Sequence, residues 1–180
     1  NCKNDLRIQN NRISSVSYYG GIYLYSCKGT SSKKILVANN FTLCGGTSSA
    51  FGLNTEYCDY VQVFHNTFNV TSTHATNGTA YSNYNGSYID LRNNIFTNSG
   101  GGYALYNSTP AAVISSDYND FYTTGNNLAY WNTSGVSDLS ALRAASGMDN
   151  NSRSVNPVFV SGTDLHATSP FLDNAGTPLA

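Results

Sequence analysis

Asp90, Arg92 and Asp117 form the tightest set of ionisable side chains in a chain of 180 residues that holds only nine Lys or Arg and ten Asp or Glu. Two carboxylates held about 5–9 Å apart can act as acid and base on a glycosidic bond, or hold Ca²⁺ beside an arginine base in a lyase reaction. The plainer reading of the trio is an exposed Asp–Arg ion pair, and it carries more weight. His65 stands where other copies of a repeated motif carry Asn10, Asn39 and Asn93, so it reads as a turn residue. His74 falls in a polar stretch and His166 in the closing segment, neither placed in a catalytic set, and Gly100-Gly101-Gly102 opens a strand with no helix behind it to cradle a phosphate. Five aromatic residues, Tyr23, Tyr25, Phe64, Tyr106 and Trp131, can form an outward band suited to stacking on sugar rings.

The elements that must position these groups come from an internal repeat. Five segments align without gaps: LRIQNNRI (6–13), ILVANNFT (35–42), VQVFHNTF (61–68), IDLRNNIF (89–96) and ISSDYNDF (114–121). Each carries an invariant asparagine, at Asn11, Asn40, Asn66, Asn94 and Asn119. Before it an apolar residue recurs at every second position: Leu6 and Ile8, Ile35 and Val37, Val61 and Val63, Ile89 and Leu91, with Ile114 and Ser116 as a weaker fifth copy. That alternation marks strands with one buried face. A second β-prone run follows in most units, at 21–27, 50–58, 102–107 and 128–133, whereas the third unit is read as carrying a polar excursion over about 69–87. Two or three short strands per unit describe one circuit of a β-solenoid. The recurring asparagines then form a ladder, each amide bonding to backbone and to the asparagine of the next coil.

Composition agrees with that reading. The 24 Asn, 23 Ser and 17 Thr make up over a third of the chain, only 11% is charged, and the net charge is -1. A near-neutral chain lacks the basic footprint that nucleic-acid binding needs. The excess of Asn, Ser, Thr, Gly and Tyr is poor material for a helical bundle, and 40% hydrophobic content argues against disorder. No apolar run is long enough to span a membrane. The cysteines Cys2, Cys27, Cys44 and Cys58 contain no CxxC pair and no histidine at ligand spacing, so disulfides in an oxidising compartment are expected and a metal is not. The chain opens Asn1-Cys2-Lys3 with neither initiator Met nor signal segment, pointing to a piece of something longer with further coils before Asn1.

From Leu6 to about Thr133 the units resemble the repeat of the right-handed parallel β-helix, or pectate-lyase-like, superfamily. The segments NPVFV (156–160), DLH (164–166) and SPFLDNAG (169–176) are similar to the closing segment of bacterial secreted β-helix proteins. The resemblance implies an all-β, right-handed parallel β-helix of about five coils over residues 1–135. A capping segment over 136–180 then follows, with one short helix N-capped by Ser137 and ended by Gly147. Stacking of such coils puts Cys27 over Cys58, close enough for a disulfide, and leaves Cys2 to pair with Cys44. Polysaccharides lie across the solvent face in this superfamily, and none of the catalytic strings of its polygalacturonase-like or epimerase members occurs here.

Two functions follow as expectations. The first is a non-catalytic extracellular segment of a secreted or surface protein, acting as stalk, adhesin or glycan-contacting surface without a cofactor. The second is the end of a polysaccharide lyase or glycoside hydrolase, Ca²⁺ entering only in the lyase case. Convergence of Asp90, Arg92 and Asp117 in a groove would favour the enzyme; splayed or simply paired side chains would not.

Overall fold

The computed structural model describes residues 5–16, 18–74 and 78–178. Each asparagine of the repeat sits at a corner, because the residue before it adopts the left-handed conformation: Asn10, Asn39, His65, Asn93 and Tyr118 have φ between 55° and 60°. Asparagine tolerates that conformation at little cost. The corner splits every repeat motif into two strands, and a third strand completes the rung. Rung one holds β1 (Arg7–Gln9), β2 (Arg12–Ser15) and β3 (Ile22–Tyr25); rung two holds β4 (Ile35–Ala38), β5 (Phe41–Cys44) and β6 (Ala50–Glu56). Rung three holds β7 (Asp59–Phe64), β8 (Thr67–Val70) and β9 (Gly78–Tyr84), and rung four β10 (Ser87–Arg92), β11 (Ile95–Asn98) and β12 (Tyr103–Asn107). Rung five holds β13 (Val113–Asp117), β14 (Asp120–Thr123) and β15 (Ala129–Trp131), the last turning back into the antiparallel β16 (Ser134–Val136).

Strands of equal rank stack in parallel into three sheets: β1-β4-β7-β10-β13, β2-β5-β8-β11-β14 and β3-β6-β9-β12-β15 with β16 at its edge. The chain is a parallel β-solenoid. Its interior repeats by rung: Val37, Val63 and Leu91 in the first sheet, Phe68, Phe96 and Phe121 in the second, and Leu53, Tyr81 and Leu105 in the third are all essentially inaccessible. The three phenylalanine rings stack at 5.9 and 5.3 Å between centroids.

The asparagine ladder runs the length of the solenoid. The side-chain Nδ2 of Asn11 donates to Asn40 Oδ1 (2.8 Å), Asn40 to Asn66 (2.9 Å), Asn66 to Asn94 (3.0 Å) and Asn94 to Asn119 (3.0 Å). The same oxygens accept the backbone N–H of the asparagine one rung earlier, and Nδ2 also reaches back to the carbonyls of Ile8, Val37, Val63 and Leu91. At Asn119 the backbone N–H instead donates to Ser152 Oγ (2.9 Å), itself bonded to Asp149 Oδ1 (2.7 Å). The cap thus substitutes a serine and a buried carboxyl for the next asparagine.

Four sequence expectations need correction. Within the polar stretch 69–87, β9 is a strand of the third sheet and not an excursion, and its inward Tyr81 and Asn83 bring polar groups into the core that bond internally, Tyr81 to Thr55 Oγ1 (2.9 Å) and Asn83 to Asn107 (2.9 Å). Ile114 is not a core residue: a register shift between Ile89 and Asp90 pairs Val113 with Ile89, leaving Ile114 59% exposed. The helix α1 (Leu139–Ser146) is capped by Asp138, which accepts the Ala141 N–H at 2.8 Å, and not by Ser137; Gly147 ends it at φ 71°. The closing segment does more than cover the last rung. After Arg153 extends the second sheet beside Asp120, the chain crosses the outside of that sheet to meet rungs one and two, where Arg12 donates to Thr163 O and His166 lies edge-on to Phe41. It then returns to rung four, where Thr177 and Asn93 exchange two hydrogen bonds of 2.8 and 2.9 Å.

The ladder fixes a graded expectation. Asn66→Ala strands buried partners on both neighbouring rungs and should cost at least about 3 kcal/mol, whereas Asn11→Ala, exposed at the first rung, should cost about 1 or less. Urea midpoints of the two variants check the difference; equal losses would refute the ladder's role.

Candidate functional site

The parallel register decides where each candidate falls. Outward positions of the first sheet form two rows, Arg7–Leu36–Gln62–Asp90–Ser115 and Gln9–Ala38–Phe64–Arg92–Asp117. Within them Arg92 grips Asp90 in a fork, Nε to Oδ1 at 2.8 Å and Nη2 to Oδ2 at 2.6 Å, with its guanidinium 5.8 Å from the Phe64 ring centre. Asp117 stands beside Arg92 in register but gives both oxygens to Asn151, accepting from its backbone N–H and its side-chain amide at 2.7 Å each. The trio is therefore adjacent, and every carboxylate in it is committed to a neighbour that holds the fold. Among the described residues no cluster of three His, Cys, Asp or Glu side chains is placed to hold a metal ion.

The cysteines do not bridge. Cys27 and Cys58 are in register on adjacent rungs, as the neighbouring Tyr25–Glu56 and Lys28–Asp59 pairings require, yet both are free and buried. Their thiols lie near backbone carbonyls, Cys27 by Tyr25 O (3.7 Å) and Cys58 by Leu24 O (3.4 Å), and within hydrogen-bonding reach of each other without a bond between the sulfurs. Cys44 is likewise free and donates to Gly20 O (2.8 Å), while its expected partner Cys2 lies outside the described residues. Burial pushes the Cys44 thiol up to about 12 and that of Cys58 up to about 11.

The aromatic candidates separate. Trp131 faces inward and is 7% exposed, so it belongs to the core; Phe64 lies on the first sheet under Arg92. Tyr23, Tyr25 and Tyr106 are on the third sheet, whose outward rows read Tyr23–Asn54–Ser82–Tyr106–Tyr130 and Tyr25–Glu56–Tyr84. Tyr106 and Tyr130 stack parallel at 4.5 Å and 5°, Tyr84 leans on Tyr106 at 4.9 Å, and Tyr25 meets Tyr57 edge-on at 5.9 Å. Rings stacked rung on rung cover one another's faces and turn edges and phenol groups outward. At rung two the row is broken by a cavity of about 210 Å³ lined by Tyr18, Tyr19, Tyr23, Asn54, Glu56 and Tyr84 among others. Tyr23 donates its phenol to Glu56 Oε2 at 2.5 Å, and that bond holds the proton on so firmly that the phenol is pushed up to about 12.

Tyr84, Tyr130 and Glu56 are the members that reading the sequence missed. Treating 69–87 as an excursion removed Tyr84 from the stack, and the signal that recovers it is the alternation of Tyr81 and Asn83 inward against Ser82 and Tyr84 outward. With this face described, the chain matches no family model, no curated protein and no solved structure.

A second cavity, of about 160 Å³, lies where the tail crosses the ladder corner and includes His65, Asn93, Asp120 and Arg153 in its lining. Asp120 is 3% exposed, accepts from the Val155 N–H at 2.9 Å and leaves Oδ2 buried without a partner. Burial raises its carboxyl to about 7, with the Val155 bond and Arg153 pulling the other way. A carboxyl raised on folding binds its proton more tightly in the native state, so the stability it contributes is complete below the ordinary value near 4 and fades as pH climbs through about 7. Asp149, also buried, is raised in the same direction. Unfolding free energy should fall between pH 4 and 8, and Asp120→Asn should exceed wild type by about 1–3 kcal/mol at pH 8 while losing that advantage at pH 4. Denaturant titrations at the two values measure it; a parallel pH slope in wild type and variant would contradict it.

Proposed function

We propose that the chain is a non-catalytic segment of a secreted or surface protein that contacts glycan through the tyrosine face of its third sheet, within an extracellular β-solenoid akin to the pectate-lyase-like parallel β-helices. The carrying observation is the run of outward tyrosines, Tyr23, Tyr25, Tyr57, Tyr84, Tyr106 and Tyr130, on one open sheet with a cavity in its midst. Such rings offer rigid apolar edges with a polar tip, which suits a ligand that is apolar on its C–H faces and hydroxylated at its rim. The regular rungs and neutral composition also suit a stalk that presents this face away from a surface. The lyase or hydrolase reading draws less support, because Asp90, Arg92 and Asp117 are committed to one another or to Asn151.

A glycan array probed with the whole chain tests the reading. Tyr25→Ala and Tyr130→Ala, at opposite ends of the face, should each weaken the captured glycan severalfold and together at least tenfold, or about 1.4 kcal/mol, with Asp117→Asn neutral. An array with no retained glycan, or tyrosine variants that bind like wild type, would sink it.

A further inference from the structure

The strands β3, β6, β9, β12 and β15 carry a single acidic or basic side chain between them, Glu56, which is also the only glutamate in the chain. It stands where the tyrosine rows are interrupted. Along its row Tyr25 lies one rung before and Tyr84 one rung after; along the neighbouring row Asn54 and Ser82 separate Tyr23 from Tyr106. Two strand spacings, about 9.6 Å, separate the positions of Tyr25 and Tyr84, and three, about 14.4 Å, separate those of Tyr23 and Tyr106. Tyr106 and Tyr130 stack at 4.5 Å on adjacent rungs, whereas beside rung two that stacking lapses and Tyr23 leans to the Glu56 carboxylate by its phenol. The 210 Å³ cavity occupies this gap, walled by Tyr19 and Tyr23 on one side and Tyr84 on the other.

The gap holds one carboxylate among the hydroxyls of Tyr18, Tyr19, Tyr23, Tyr84 and Ser49 and the amide of Asn54. Asn54 is 6% exposed, lines the cavity and has a buried Oδ1 that accepts no hydrogen bond within the protein. The Glu56 carboxylate accepts from Tyr23 at Oε2. The Glu56 carboxylate accepts from donors that a ligand brings, and adjacent hydroxyls of a sugar ring meet a carboxylate in that manner. No lysine, arginine or histidine on the sheet offsets the carboxylate, so a second carboxylate brought into the gap is repelled at close range.

From this we infer that the gap over Asn54 and Glu56 is a subsite for one uncharged pyranose residue of a polysaccharide, and that Glu56 sets the specificity by rejecting uronate. The assignment rests on the glycan-contacting reading of the tyrosine face and adds the sugar class.

The test compares wild type, Glu56→Gln and Glu56→Lys on an array carrying neutral oligosaccharides (gluco-, xylo- and manno-hexaoses) beside hexagalacturonate and hexamannuronate. Dissociation constants of the retained members are measured by titration, and urea midpoints are taken to verify folding. Wild type should bind its best neutral hexaose at least tenfold more tightly than either uronate. Glu56→Gln should lose about tenfold on the neutral ligand and narrow the gap, and Glu56→Lys should reverse the preference. Equal or tighter uronate binding by wild type overturns the subsite. It is also overturned if both Glu56 variants keep the wild-type ratio while Tyr25→Ala and Tyr130→Ala weaken all ligands, a result that leaves the tyrosine face standing. An array on which nothing is retained removes both.

Discussion

One side chain per rung holds the solenoid in register. Each internal ladder asparagine accepts two donors at Oδ1 and gives Nδ2 to a carbonyl one rung back and to an oxygen one rung ahead, so four polar groups at a buried corner are satisfied by one amide. No other neutral side chain of that length supplies an acceptor and two donors in one plane. A one-residue slip would break all four bonds and send the apolar row of that strand to solvent. The cap obeys the same constraint with different chemistry, since Ser152 and Asp149 meet Asn119 where a sixth asparagine would stand.

Exact stacking also explains why the chain is so short of charge. When residue lies over equivalent residue at about 4.8 Å, a repeated lysine or aspartate becomes a column of like charges, each destabilising the next. Neutral side chains stack without that cost, and aromatic rings gain from it, as the phenylalanine column inside and the tyrosines outside both do. Where charges do occur on neighbouring rungs they alternate: Lys28 meets Asp59 at 2.7 Å, and Asp59 takes the Ser87 hydroxyl at 2.6 Å on the next rung. The Asn, Ser and Thr excess is the composition that this geometry selects.

The same regularity made much of the fold legible in advance. Period-two alternation ahead of an invariant asparagine placed the first sheet, its outward rows and the ladder, because buried faces and left-handed corners each leave a residue-type signature. The third sheet was half hidden: Tyr81 and Asn83 fill the core with polar groups that bond to Thr55 and Asn107, and polar groups paired inside leave no hydropathy signal. Ile114 misled for the opposite reason, since a bulge moves a β-branched apolar residue to the surface without changing its type. The path of the tail over the second sheet depends on contacts such as Thr177 with Asn93, 84 residues apart, that no local pattern encodes. Of the outward tyrosine face, the placement of Tyr23, Tyr25 and Tyr106 was readable, whereas the inward turn of Trp131 required the register of β15, and the position of Glu56 becomes visible only when three rungs are laid over one another.

The three outer faces then differ in what the chain itself has done with them. The second sheet is crossed by the tail, with Leu165 at 3% exposure against the Phe41 and Leu43 side of the solenoid. On the first sheet Asp90 and Arg92 close on one another beside Phe64 and Asp117 is taken by the cap through Asn151, although a cavity of about 300 Å³ walled by the stacked Tyr60 and Tyr88 stays open next to Asp90. The third sheet receives neither tail nor ion pair, yet it concentrates the tyrosines, holds exposed Tyr23 and Tyr25, and keeps a buried amide oxygen unsatisfied beside a lone carboxylate. A solenoid built only to be rigid gains nothing from an uncovered aromatic face with a cavity in it, because burying those rings would add stability. The cost of leaving them open is the physical argument for placing recognition there.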